Sequence, residues 1–284
     1  MIIGGDKKPA IDNIKKNANN GLYNDKVEVA DPTLSTEEEH QLIDGYLTHR
    51  HKFDYKVKNM LARFSMRALT DYVNFQTKIV PTDAIKELPT GGIITSNHFN
   101  PLDNTAIRKL VAKKHKRLFV ISQPTNLKMT GKLGFFMNYD DIVPLSKSLH
   151  YLGKTFPKLL QEIFDKGDYV LIYPEQEMWF NYRKPRPPMR GAYYYAAKMN
   201  VPIISCFIEM KDLEKNDNDQ FKKVQYIVHV LDTIYPDPKQ NIERNTNWMM
   251  QKDYGQKIEA YEKAYGKKLD YKFEPADIAG WLGN

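Results

Sequence analysis

The sequence predicts an α/β fold: a mixed, mostly parallel sheet flanked by helices, preceded by an N-terminal helical pair. From about residue 81, short runs of strand length alternate with segments of helix length. Those runs, such as 169–173 (YVLIY) and 202–208 (PIISCFI), are apolar almost throughout, as strands covered on both faces are. Between residues 35 and 75, apolar residues instead recur at helical spacing.

The chain divides into an N-terminal arm (1–33), a pair of amphipathic helices (34–80) and an α/β domain with a C-terminal helix (81–284). The arm is rich in Asn and Lys with weak periodicity, and reads as extended or loosely packed. A helix begins near Ser35. Ser35 and Thr36 are good N-caps, Glu38 and Glu39 follow three residues after them, and Glu37 adds negative charge to the first turn.

The second helix spans 55–75. Val57, Met60, Leu61, Phe64, Ala68, Tyr72 and Phe75 share one face, with Lys56, Lys58, Arg63 and Arg67 mostly off it. Such a face can lie in a lipid headgroup layer. We read it first as packing on the next domain, the commoner use of an apolar stripe.

Strands are then expected at 92–96 (GIITS), 117–122, 141–145, 169–173, 202–208 and 224–231. Helices are expected at 103–115, 127–137, 149–166, 191–199 and 243–265. In sheets of this kind, functional groups collect beyond the carboxyl ends of the strands.

Composition narrows the classes of function. At 284 residues and 42% hydrophobic, the chain can bury a sizeable core. Mean hydropathy is −0.59 and no run approaches 18 apolar residues, so no transmembrane helix is expected. The first ten residues lack the apolar core of a secretory signal. Cys206 is the single cysteine, which excludes an intrachain disulfide and a paired-cysteine zinc site and fits a reducing cytoplasm. No metal or redox cofactor is implied. The net charge of +7 suits anionic lipid, a phosphorylated substrate or nucleic acid. No nucleic-acid-binding signature accompanies it.

The loop after the first strong strand reads Ser96-Asn97-His98-Phe99-Asn100-Pro101-Leu102-Asp103. Asn100 reads as a helix N-cap with Pro101 as the first helical residue. The chain therefore turns sharply, and the carboxylate can come back to the imidazole. Acyl transfer to an alcohol needs this pair. A neutral imidazole takes the proton of an attacking hydroxyl. A carboxylate on the other ring nitrogen fixes the tautomer and stabilises the imidazolium. No Gly-x-Ser-x-Gly elbow is present.

These residues resemble a known family, the glycerolipid acyltransferases, which include bacterial 1-acylglycerol-3-phosphate acyltransferase. Their first motif, Asn-His-x4-Asp, is matched by Asn97, His98 and Asp103. Their third, roughly Phe-Pro-Glu-Gly-Thr-Arg-Ser, is met by Tyr173-Pro174-Glu175-Gln176-Glu177-Met178-Trp179, which keeps only the Pro-Glu core. Arg190-Gly191-Ala192, the helix after it and Val201-Pro202-Ile203-Ile204 complete a likeness over about residues 80–210. The second motif's terminal arginine is lacking in the stretch ending Ile142-Val143-Pro144-Leu145, and the third motif's arginine is Met178.

The resemblance implies the glycerolipid acyltransferase fold, with His98 as general base and Asp103 orienting it. Asn97, Glu175, Arg183, Lys184, Arg190 and Gly191 are implied substrate contacts. Residues 181–198 carry five basic groups and no acid, so Arg183, Lys184, Arg186 and Arg190 could hold a phosphate in place of the missing arginines. The expected partners are an acyl thioester donor (acyl-CoA or acyl carrier protein), a lysolipid acceptor and the inner face of the cell membrane, met peripherally. The alternatives are acylation of a glycolipid, which needs less cationic grip, and a non-catalytic lipid-binding relative.

Overall fold

The computed structural model describes residues 6–29 and 33–283. Among them, seven strands form one sheet in the order β1-β7-β6-β2-β5-β3-β4. They are β1 (Lys78–Val80), β2 (Gly92–Thr95), β3 (Leu118–Ser122), β4 (Ile142–Pro144), β5 (Tyr169–Ile172), β6 (Ile203–Asn216) and β7 (Lys222–Ile234). The β6–β7 hairpin is antiparallel and the other neighbours pair in parallel. The predicted mixed, mostly parallel sheet is therefore present. The two hairpin strands run past the apolar segments that predicted them, because their far halves pair with each other outside the core.

The helices are α1 (Lys8–Asn19), α2 (Thr36–His49), α3 (Phe53–Val73), α4 (Ala84–Glu87), α5 (Asn104–Ala112), α6 (Gly131–Tyr139), α7 (Phe156–Phe164), α8 (Gly191–Met199) and α9 (Ile242–Tyr265). Successive strand residues point to opposite faces. Ile94 and Leu171 therefore pack with Ala106, Ile107 and Leu110 of α5. Ile93 and Val170 pack with Leu160 of α7, Ala196 of α8 and Met249 of α9. Helices thus cover both faces, and this is what lets the strands be apolar throughout. None of the described helices is long and apolar enough to cross a membrane.

Two sequence readings are corrected. The arm expected at 1–33 contains α1, whose Ile11, Ile14 and Ala18 are buried against Trp179, Phe180, Tyr182, Phe221 and Ile278. Each buried isoleucine contributes about 1.5–3 kcal/mol. Residues 1–5 and 30–32 of that reading lie outside the described residues.

The second correction concerns α3. Its apolar stripe does not pack on the domain: Met60, Phe64 and Phe75, the last just beyond the helix, are 59%, 78% and 75% exposed. The packed face instead carries Tyr55, Ala62, Met66 and Thr70. It is fixed by polar contacts: Asn59 donates to Tyr139 O at 2.6 Å and to Asp141 Oδ1 at 2.9 Å, and Arg63 pairs with Asp141 at 3.4 Å. At the start of α2, by contrast, the expected capping box is present between Ser35 and Glu38.

Candidate active site

Beyond β2 the chain leaves the sheet. Asn97 guides it: its Oδ1 accepts from Ile208 N at 2.8 Å and its Nδ2 donates to Ile208 O at 3.1 Å. Both ends of this buried side chain are spent on β6, so Asn97 acts as a brace and leaves no group for substrate. The next residue, His98, stands at the carboxyl end of the sheet with 21% of its side chain exposed.

Asn100 forms a turn in place of the expected helix cap. Its side chain accepts from Leu102 N at 3.1 Å, its carbonyl accepts from Asp103 N at 3.0 Å, and α5 starts only at Asn104. That turn carries the Asp103 carboxylate back under the loop. Oδ2 lies 2.8 Å from His98 Nδ1 and accepts from Phe99 N at 2.9 Å and Asn100 N at 3.2 Å. Asp103 is buried, so each of these charge-assisted bonds is shielded from water. With Nδ1 on a carboxylate, the imidazole carries its proton there and offers Nε2 as a base. No group among the described residues hydrogen-bonds Nε2.

Sequence reasoning missed Tyr173, which follows β5. Its hydroxyl donates to Asp103 Oδ1 at 2.5 Å. Its ring stacks on the His98 imidazole, 3.9 Å between centroids and 12° between planes. Burial, and then the Asp103 charge, push the phenol well above its ordinary pKa of 10.0, so it remains a donor. The one available signal was that Tyr173 stands at the strand end directly before Pro-Glu.

Glu175 is a brace of the same kind as Asn97. Oε1 accepts from Arg186 N at 2.9 Å, and Oε2 accepts from Arg186 Nε at 3.1 Å and His98 N at 3.3 Å. Arg186 is buried, lies 4.6 Å above the Trp179 ring, and also donates to the carbonyls of Tyr23, Glu177 and His98. The loop after β5 therefore holds the His98 loop in place, with Trp179 N on His98 O at 3.1 Å and Asn181 N on Phe99 O at 2.8 Å.

Both ends of the chain brace this loop. Asn24 donates to Pro187 O at 2.9 Å and Trp179 Nε1 donates to Asp25 O at 2.9 Å. From the other end, Ala279 N donates to Asn181 O at 2.8 Å and Arg183 N to Asp277 O at 2.9 Å. Gln176 turns the chain here at φ 64°, a left-handed conformation, at the position where the resembled motif has glycine.

The basic residues implied as substrate contacts are engaged elsewhere. Arg183 pairs with Asp212. Lys184 lies 2.7 Å from Asp277, both about 1% exposed. Arg190, exposed, pairs with Glu243 at 2.8 Å. Gly191 opens α8 where an added Cβ would meet nothing within 4 Å, so no close approach requires glycine there. Beneath the loop a buried network ties β2 to α8 and α9. Asp253 accepts from Thr95 Oγ1 at 3.0 Å, Tyr193 at 2.5 Å and Lys257 at 2.6 Å. Cys206, in the same core, is pushed up to about 12 by burial and is no nucleophile.

A half-buried imidazole on a buried carboxylate at the mouth of an α/β sheet is an arrangement suited to transfer or hydrolysis by a general base. The class becomes more specific by comparison: residues 77–209 match the Acyltransferase family model. The fold is similar to that of the crystal structure of the 1-acyl-sn-glycerophosphate (LPA) acyltransferase PlsC from Thermotoga maritima. The TM-score is 0.52 at 13% identity, over 82% of this chain and 97% of that one. No curated protein matches the chain.

Proposed function

We propose that this chain transfers a fatty acyl group from acyl-CoA or acyl carrier protein to the hydroxyl of a glycerolipid, lysophosphatidate or a related lysolipid. It works peripherally at the cytoplasmic face of the membrane, in phospholipid synthesis. The observation that carries this reading is the 2.8 Å contact of His98 Nδ1 with Asp103, which leaves Nε2 as a free base.

His98 Nε2 accepts the proton as the acceptor oxygen attacks the thioester carbonyl carbon. Asp103 holds the tautomer and stabilises the imidazolium. When the tetrahedral intermediate collapses, the C–S bond breaks and the departing sulfur takes the proton back from Nε2. Glu175 and Arg186 keep the two loops in register. The exposed stripe of Met60, Phe64 and Phe75 supports contact with a bilayer, since apolar faces of this kind enter the headgroup boundary.

The test is thiol release from palmitoyl-CoA, and in parallel from an acylated carrier protein, with lysolipid acceptors. Acceptor-dependent release by wild type that vanishes in His98→Ala is expected. Undiminished release by His98→Ala would overturn the mechanism.

A further inference from the structure

The carboxyl edge of β3 and β5 presents polar groups that the acyl-transfer step does not use. Glu177 follows the Tyr173 that stacks on His98, and its carbonyl shares the Arg186 guanidinium with the carbonyl of His98. Its half-buried carboxylate accepts from Gln123 Nε2 at 3.3 Å, just past β3. Close by, Asn126 donates to Ser122 Oγ at 2.7 Å. The rim next to the His98 loop thus combines a carboxylate, two amides and a hydroxyl.

Cations that could offset a phosphate there are already committed. Arg186 is neutralised by Glu175, and Arg183, Lys184 and Arg190 each have a carboxylate of their own. Beside β3, Lys128 pairs with Glu38 at 2.7 Å, and Lys147, just past β4, lies next to Glu39, whose carboxylate accepts from its backbone N at 3.1 Å. A phosphate monoester placed between β2 and β3 would therefore face the Glu177 charge. Sugar hydroxyls fit the same groups: a carboxylate accepts from neighbouring hydroxyls, and amides both donate and accept.

Resting on the acyl-transfer step proposed above, and replacing its lysophosphatidate acceptor, we infer that the acceptor hydroxyl belongs to a lipid with an uncharged, polyhydroxylated headgroup, held by Glu177 with Gln123, Asn126 and Ser122. The class is a sugar-type glycolipid and not a phosphate monoester.

The experiment measures kcat/KM for palmitoyl transfer to glucosyl-diacylglycerol and to lysophosphatidate, with wild type, Glu177→Gln and Gln123→Ala. The expected result is a preference of about tenfold or more for the glycolipid, since a hydrogen bond to a charged group is of that size. Glu177→Gln should reduce that preference by about tenfold, and Gln123→Ala by less. Faster transfer to lysophosphatidate overturns the acceptor assignment and keeps the transferase. Equal losses on both acceptors in Glu177→Gln overturn the role of Glu177. No His98-dependent thiol release with either acceptor overturns both readings.

Discussion

Replacing Tyr173 by Phe removes a single oxygen and tests the geometry around His98. The ring, and with it the 3.9 Å stack on the imidazole, is retained. What disappears is the 2.5 Å bond to Asp103 Oδ1, an oxygen buried with its residue and with no other donor. A hydrogen bond to a charged group contributes about 1.5–3 kcal/mol, and leaving the carboxylate unsatisfied forfeits it. For a chain of this size each kcal/mol moves the melting temperature by about 2–4 °C, so a fall of roughly 3–12 °C is expected. The loosened carboxylate should also lower kcat about tenfold with little change in KM, equivalent to about 1.4 kcal/mol of lost transition-state stabilisation.

Because the hydroxyl acts through Asp103, Tyr173→Phe should cost little further kcat in an Asp103→Asn background. The pH dependence has a definite sign. The folded phenol keeps its proton above 10.0, where the unfolded one loses it. Stability from this group is thus complete below pH 10 and declines above it, and the melting difference between wild type and variant narrows there. Wild-type kcat and melting temperature in Tyr173→Phe would refute the reasoning, as would a full additional loss in the Asp103→Asn background.

Lys184→Met should destabilise the fold by about 1.5–3 kcal/mol, because it removes the 2.7 Å partner of buried Asp277 and leaves only Lys267 at 3.5 Å as its cation, and urea unfolding measures this. A rise in acceptor KM without any loss of stability would instead return Lys184 to the substrate. Gln176→Gly should raise stability by up to about 1 kcal/mol, since glycine adopts the φ 64° turn without Cβ strain. Unchanged or lower stability would show that the Gln176 side chain supports the turn. Met60→Glu with Phe64→Glu should abolish co-sedimentation with anionic phospholipid vesicles and leave the melting temperature unchanged, since both side chains are exposed. Undiminished vesicle binding would remove α3 from the membrane contact.

The sheet was legible because its strands are apolar on both faces and separated by helix-length segments. The exposed edge β1, three residues long, gave no such pattern. Helix α1 was hidden because its few apolar residues find their partners in Trp179 and Phe180, more than 150 positions away, and local periodicity does not register such a distant partner. The stripe on α3 was read correctly as a stripe and assigned to the wrong side. Spacing defines a face but does not say what lies against it, and here Asn59 and Arg63 decide the packing. His98 and Asp103 were legible because a turn between a strand and a helix brings positions five apart together. The ion pairs of the basic residues after Asn181 were not legible for the opposite reason: Asp212, Glu243 and Asp277 lie far along the chain.

The dual bracing of the loop after β5 also sets an order of events during synthesis. At about 5–20 residues per second, residues 23–25 leave the ribosome several seconds before Trp179 and Pro187, the partners they hold. Asn181 in turn waits for Ala279. The base and its carboxylate can be translated, and even paired, while the wall that backs them is still missing. The proposed site is therefore completed late, only once Asn181 has met Ala279.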